Sequence, residues 1–259
     1  MVQHVEIAVL PAEALRIDAG AYIVIDALRA TTVMPTLFAQ GITDLVVVDN
    51  VDVARARASS EGRILFGEIG GLRPDGFDHG NSPTEAIAAG LDGLGALHFT
   101  GNGTKTLCSV AGRGDVAAAS LANISACVDW ASRFDSVCVV CAGDHGATRF
   151  SLEDFSVAGA FARRLVRSSR DVTTGDAAGL AMELPGYEDW ISPSLPQRAE
   201  RSARLITGSS HARDLVRLGF GPDVQFATEE DTSAAVPVIV EWGEGWARLE
   251  DAARGERKH

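Results

Sequence analysis

Ala21-Tyr-Ile-Val-Ile25, then Asp26-Ala-Leu-Arg29-Ala-Thr31-Thr32, then Val33 to Ala39 is the stretch that decides the fold class. An unbroken apolar run rich in β-branched residues suits a strand covered on both faces, and the pattern behind the polar turn is helical. The same unit recurs on either side. Leu45 to Val48 meets Asp49-Asn50 and a helical Val51 to Ser60. Ile64 to Phe66 leads through a glycine loop to a helix from Pro83, and Ala96 to Thr100 meets Gly101-Asn102-Gly103-Thr104 and a helix towards Ala111. Val116 to Leu121 meets Asn123 and a helix over Ser125 to Arg133. Val137 to Cys141 meets Ala142-Gly143-Asp144-His145-Gly146 and a long helix over Leu152 to Val166. Strands alternating with helices predict an α/β protein whose mostly parallel sheet is covered on both faces. One doubly wound sheet explains the recurrence, and so do two similar halves meeting near residues 140–170. Either way, residues 1–259 read as a single domain.

Beyond Val166 the pattern weakens. Ser168 to Gln197 mixes Gly, Pro, Ser and acids, as a lid, a crossing connection or short helices would. Ser210 to Leu218, with Gly219 behind it, reads as a capped helix. Asp223-Val-Gln-Phe226 and Val236-Pro-Val-Ile-Val240 read as late strands, with Pro237 placing the second at a sheet edge. The tail from Arg254 to His259 is expected to be solvated and frayed.

Composition narrows the function classes. A hydrophobic fraction of 46% and a charged fraction of 22% are ordinary for a soluble globular protein. The formal charge of -12 speaks against a nucleic-acid or anionic-membrane binder, which needs clustered Lys and Arg. The start, Met1-Val2-Gln3-His4-Val5-Glu6, lacks the basic and apolar regions of a signal peptide, and no apolar run approaches the roughly 20 residues that span a bilayer. Cys138 and Cys141 have a metal-like spacing, but three apart on a strand they face opposite sides and cannot share an ion. Reduced, buried cysteines in a cytoplasmic protein are the expectation; a homodimer is left open.

The polar clusters all fall after apolar strands, where ligands collect in open α/β sheets. Asp26 ends a strand beside Arg29, Thr31 and Thr32. It suits a metal ligand or acid–base group, or simply a turn acid; Arg29 can grip a phosphate or carboxylate with paired donors. The stretch from Gly67-Glu68-Ile69-Gly70-Gly71 to Asp78 and on to Asn81-Ser82-Pro83-Thr84-Glu85 joins two hard oxygen ligands to a helix start. Ser82 caps that helix, with Pro83 at its first position and Glu85 completing the box. Glu68 and Asp78 in one flexible loop suit Mg²⁺. Gly101-Asn102-Gly103-Thr104-Lys105 resembles a phosphate cradle, though a turn needing positive φ explains the glycines equally well. Ser151-Leu-Glu153-Asp154 is a second capping box, in which Asp154 is structural and Glu153 is free to act as ligand or base. His145, a lone loop histidine, reads as ordinary.

Together these residues resemble the 2-phosphosulfolactate phosphatase family. The matching blocks are Asp26 to Thr32, Gly67-Glu68 with Gly70-Gly71, Gly76 to Pro83 with Glu85, Asn102-Gly-Thr104, and Cys141-Ala-Gly with Phe150 to Asp154. The resemblance implies a three-layer α/β/α fold with a mostly parallel or mixed sheet, and a Mg²⁺-dependent phosphatase acting on a small phosphorylated, sulfonated hydroxy acid. Under it, Mg²⁺ falls to some of Asp26, Glu68, Asp78 and Glu153, and catalysis to Asp26, Arg29, Glu68 and Glu153. Substrate contacts fall to Thr31, Thr32, Arg73, Asn81, Ser82, Asn102, Gly103, Thr104 and Asn123. Ile69 departs from the family, which has an arginine there, and Arg73 or Arg29 would have to substitute for the lost cation. Leu28 occupies the second acidic place of an Asp-x-Asp nucleophile motif, which favours attack by water over an aspartyl-phosphate. Another metal-dependent hydrolase of a small anionic ester, or a binding protein without turnover, are the alternatives.

Overall fold

β2 (Ala21–Ile25) runs directly into the Asp26 turn and α2 (Ala30–Ala39), as the opening stretch requires. The computed structural model describes residues 1–168, 171–183 and 203–256. Its remaining strands are β1 (His4–Ala8), β3 (Leu45–Val48), β4 (Ile64–Gly67), β5 (Ala96–Phe99), β6 (Asp115–Ala118), β7 (Ser136–Cys141), β8 (Thr173–Thr174), β9 (Pro237–Gly243) and β10 (Trp246–Asp251). The helices the site depends on are α1 (Pro11–Ala14), α3 (Val51–Glu61), α4 (Pro83–Ala88), α5 (Gly103–Val110), α6 (Ile124–Ala131), α7 (Leu152–Ser168), α8 (Asp176–Glu183), α9 (Ser210–Arg217), α10 (Gly221–Phe226) and α11 (Ala252–Glu256).

The ten strands of the described residues form one mixed sheet in the order β4-β5-β3-β10-β9-β6-β2-β7-β1-β8. β6, β2, β7, β1 and β8 pair in parallel, and β3, β5 and β4 form a second parallel block. The β9–β10 hairpin joins them through three antiparallel junctions, so the blocks run in opposite senses. Strand residues alternate between two cores, as the pleat demands. Ile23, Ile25, Val139 and Cys141 pack with α6, α7 and α8, whereas Tyr22, Val24, Cys138 and Val140 pack with α2 and α5. This second core also takes Leu45, Val47, Phe66 and Leu249, so the sheet wraps around α2 and α5 and draws the loops after β2, β5 and β7 together. The fold is thus three-layered. Cys138 and Cys141 lie on opposite faces as expected, all four cysteines are free, and burial pushes the Cys138 thiol up to about 12. Among the described residues no helix is long and apolar enough to cross a membrane.

Several late expectations are corrected. Asp223 to Phe226 is not a strand but the body of α10, started by Pro222 in the first turn. Four residues of alternating polarity are too few for their period to separate a strand from a short helix. Pro237 is not on an edge strand: β9 lies between β10 and β6, and Pro237 is its first residue, where a missing N–H is tolerated. β1 and β10 lie outside the expected strands, and the strand expected over Val116 to Leu121 ends at Ala118, with Leu121–Asn123 forming a tight turn. Of the tail expected to fray, Arg254 is held instead: α11 reaches Glu256, and Arg254 donates from Nη2 to Phe38 O at 2.6 Å and from Nη1 to Ile42 O at 2.7 Å, while 257–259 lie outside the described residues. That places a cation on the exposed carbonyls at the end of α2. Of Ser168 to Gln197, α8 and β8 are described; 169–170 and 184–197 lie outside the described residues.

Candidate active site

Because Asp26 directly follows β2, the register of that strand with β6 and β7 fixes its place. Thr31 Oγ1 accepts the Asp26 N–H at 2.9 Å, and Asp26 Oδ1 accepts the Ala30 N–H at 3.2 Å. Asp26 is only 6% exposed, and among the described residues nothing donates to Oδ2. Burial lifts its carboxyl to about 6; His211 and the Ala30 N–H pull down, while Glu68 and Glu153 push up.

The first turn of α5 abuts this carboxylate. Gly103 is required there: a Cβ would lie 2.6 Å from Asp26 Oδ2 and 2.7 Å from Ala30 Cβ. Gly103→Ala would gain about 1 kcal/mol of helix propensity, yet overpacking costs about 1–3 kcal/mol. The variant is therefore expected to unfold at lower urea than the parent, and an unchanged midpoint would show that the contact relaxes freely. Asn102 Oδ1 accepts the N–H groups of Gly146 at 2.9 Å and Ala147 at 3.0 Å, tying the loop after β5 to the loop after β7. Glu68, following β4, accepts from Gly101 N–H at 3.0 Å and Gly71 N–H at 2.6 Å, so it closes its own glycine loop onto the loop after β5.

The opposite wall comes from α7 and α9. Ser151 Oγ accepts the Asp154 N–H at 3.2 Å at the start of α7. Asp154 in turn accepts from Ala27 N–H at 2.9 Å and Gly143 N–H at 3.0 Å, which locks the Asp26 turn to the loop after β7. Burial, then Asp26 and Glu153, raises the Asp154 carboxyl, against the pull of those two N–H groups. Glu153, 5% exposed, receives no hydrogen bond among the described residues. Partial burial would raise Asp144, but the N–H and imidazole of His145, and His211, outweigh it and hold it below the usual carboxylate range. Asp26, Leu28, Asn102, Gly143, Asp144, Ser151, Glu153, Asp154 and His211 line one shallow, open cleft.

The cleft thus gathers Asp26, Asn102 and Glu153 of the sequence candidates, with Gly103 against Asp26 and Glu68 close enough to raise its pKa. Other candidates are engaged elsewhere. The exposed Asp78 accepts the Leu65 N–H at 2.8 Å and pins its segment along the edge strand β4. Arg73 donates to Asp78 O at 2.9 Å. Arg29, 2% exposed, pairs with Asp223 Oδ2 at 2.7 Å, donates to Gly71 O at 2.8 Å and lies 4.2 Å over the Phe220 ring. Neither arginine lines the cleft in place of the cation that Ile69 lacks. Thr31 donates to Ala119 O at 2.7 Å and Thr32 to Ala27 O at 2.8 Å; both hydroxyls serve the turn. Asn81 Oδ1 meets His98 Nε2 at 3.0 Å, Ser82 caps α4 and donates to Asp223 Oδ1 at 2.8 Å, and Thr104 donates to Thr100 O at 2.9 Å. Asn123 braces Ser120 and Ala235 in the opposite core. Asp144 was legible only as a neighbour of Glu153. His211 carries no local signal, since only folding brings its helix to the cleft.

A magnesium site can be tested on these donors. Among the described residues no three His, Cys, Asp or Glu side chains form a ready-made cage. Mg²⁺ does not need one, since it keeps waters and binds through one or two carboxylates plus phosphate oxygens. Asp26 and Glu153 fit that demand, being buried, electrostatically coupled and without donors on Asp26 Oδ2 and the Glu153 carboxylate among the described residues.

The sequence pattern of the 2-phosphosulpholactate phosphatase family matches residues 9–241. A protein of Thermotoga petrophila named probable 2-phosphosulfolactate phosphatase is 36% identical over 218 residues, covering 84% of this chain and 88% of its own. Proteins of the same printed name from Symbiobacterium thermophilum and Deinococcus radiodurans are each 35% identical, covering 85% and 84% of this chain and 91% and 87% of their own. With a cleft of buried acids built from the motif residues and a match over most of its length, this chain belongs to the 2-phosphosulpholactate phosphatase family.

Proposed function

We propose that the chain is a Mg²⁺-dependent phosphatase that hydrolyses 2-phosphosulfolactate to sulfolactate and phosphate. The observation that supports this most is the meeting of Asp26 and Glu153, buried and short of donors, with the first turn of α5 in one cleft. Asp26 and Glu153 would hold the ion, which when bound supplies positive charge to the phosphoryl oxygens. The positive dipole end of α5, whose Gly103 lies against Asp26, would favour the same anion, although the Thr104 N–H is already given to Thr100 Oγ1. Asn102 and Asp154 keep the loops after β2, β5 and β7 at fixed separation, so the ester meets a site that needs little rearrangement. Water is the attacking group, and the protein contributes mainly position and charge, as phosphoryl transfer allows.

Phosphate release from 2-phosphosulfolactate, with and without added Mg²⁺ after chelation, tests this directly. Comparison with phosphorylated hydroxy acids lacking the sulfonate tests the substrate. Equal turnover of both kinds would move the assignment to another small phosphoester, and ligand binding without phosphate release would make the chain a binding homologue. Mg²⁺ affinity in the absence of substrate should also fall on acidification through about 6, because the ion must then displace a proton from Asp26. A Mg²⁺ affinity that stays flat down to pH 4.5 would remove Asp26 from the ligand set.

A further inference from the structure

The ester oxygen of an alkyl phosphate is a poor leaving group, and a placed proton donor accelerates such departures by about 10²–10⁴-fold. The acids of the cleft are otherwise engaged. Both Asp154 oxygens accept backbone N–H groups, and Asp144 accepts from His145, whose Nδ1 stands 2.8 Å from Asp144 Oδ2. Asp26 and Glu153 are the pair suited to the ion. Ser151 is occupied in starting α7 and is too weak an acid to transfer a proton.

His211 is the remaining lining group that can transfer one. It sits in the first turn of α9, which Ser209 caps by accepting the Ala212 N–H at 3.0 Å. Leu218, just past that helix, reaches the glycine loop at Gly71. The imidazole is 26% exposed, its Nδ1 lies 3.9 Å from Asp144 Oδ1, and no hydrogen-bond partner for Nε2 is found among the described residues. Asp144 therefore steers the ring electrostatically while leaving it open to a bound ester. We propose that His211 is a catalytic residue that protonates the departing ester oxygen.

This assignment rests on the phosphatase reading above. In the step, the bond from phosphorus to the ester oxygen breaks and its electron pair stays on that oxygen, which takes the proton from His211. The water oxygen bonds to phosphorus and sheds a proton to solvent, from which His211 is recharged.

The test uses the full chain with His211→Ala and His211→Gln on two esters, 2-phosphosulfolactate and p-nitrophenyl phosphate, whose phenolate leaves without help. Release from the alkyl ester should fall about 100-fold or more while release from the aryl ester falls less than about threefold. Added imidazole should restore part of the alkyl rate in His211→Ala. His4, which contacts Thr173 and Glu6 outside the cleft lining, gives the comparison, and His4→Ala should leave both rates within about threefold. Equal losses on both esters, a loss on the alkyl ester below tenfold, failure of imidazole to rescue, or the leaving-group signature in His4→Ala would each overturn the assignment while leaving the phosphatase reading intact. A parent protein that releases phosphate from neither ester would overturn both.

Discussion

Asp26→Asn is expected to reduce phosphate release by about 10³-fold or more, the scale lost when preorganised charge is removed from a reacting site, yet to melt no lower than the parent at pH 7. The two halves of that result have one origin. Buried at the end of β2, Asp26 has a carboxyl lifted to about 6 from an ordinary 3.8, chiefly by burial, with Glu68 and Glu153 adding to the rise. A folded-state pKa above the unfolded one means that the stabilising contribution is fully present below about 3.8 and is lost as the pH rises through about 6. At neutral pH the folded chain therefore holds a carboxylate it would rather protonate, at a cost of up to about 3 kcal/mol at 1.36 kcal/mol per pKa unit. Asn keeps an oxygen for the Ala30 N–H and carries no charge. The variant should gain on the parent as pH rises from 4 to 7 in the absence of metal. Added Mg²⁺ should raise the melting temperature of the parent and not that of Asp26→Asn. Retained turnover in Asp26→Asn would remove it from the mechanism, and a lower melting point at pH 7 would show that its charge is already compensated within the protein.

Asp223→Ala should produce the largest loss of stability, about 3–5 kcal/mol, the usual result of stranding one member of a buried ion pair, with a fall of about 10 °C in Tm for a chain of this size. Asp223 is 1% exposed and accepts from Arg29 and Ser82 at 2.7 and 2.8 Å, with Thr84 on the same oxygen as Ser82. One carboxylate thereby joins α10 to the Asp26 turn and to the cap of α4. Without it, the Arg29 guanidinium keeps, among the described residues, Gly71 O and the Phe220 ring. Arg29→Met combined with Asp223→Leu should recover much of the loss, because an apolar pair leaves no stranded charge. A urea denaturation cycle over the four proteins reads the coupling directly. A single variant within about 1 kcal/mol of the parent would show that water reaches Arg29.

The early fold was legible because its signals are local and agree with one another. From β2 to α7, apolar strand runs, polar turns and capped helices follow in the order the chain shows them. The late elements were not, because their character is set by what they join. Val224 and Phe226 look like strand residues until Asp223 is seen clamped by Arg29 and Ser82, and Pro237 suggests an edge until β10 folds back beside it. The site divides the same way. Of the candidates that line the cleft, Asp26 and Glu153 follow a clear strand or cap signal, whereas the Asn102 turn is a weak one. Nothing local says that Arg29 will pair with Asp223 or that Asp78 will take the Leu65 N–H. His211 lies 185 residues from Asp26 along the chain, and only tertiary packing of α9 brings it to the cleft.

The hairpin at the centre of the sheet also dictates when the molecule can finish folding. Leu45 pairs with Leu249 and Ala117 with Val238, so strands made early wait for partners that leave the ribosome much later. Until then two half-sheets expose unpaired edges at β3 and β6, the kind of surface that recruits another chain. Such long-range pairing slows folding. A chain stalled or clipped before Pro237 would be left with that open seam rather than with a smaller working enzyme.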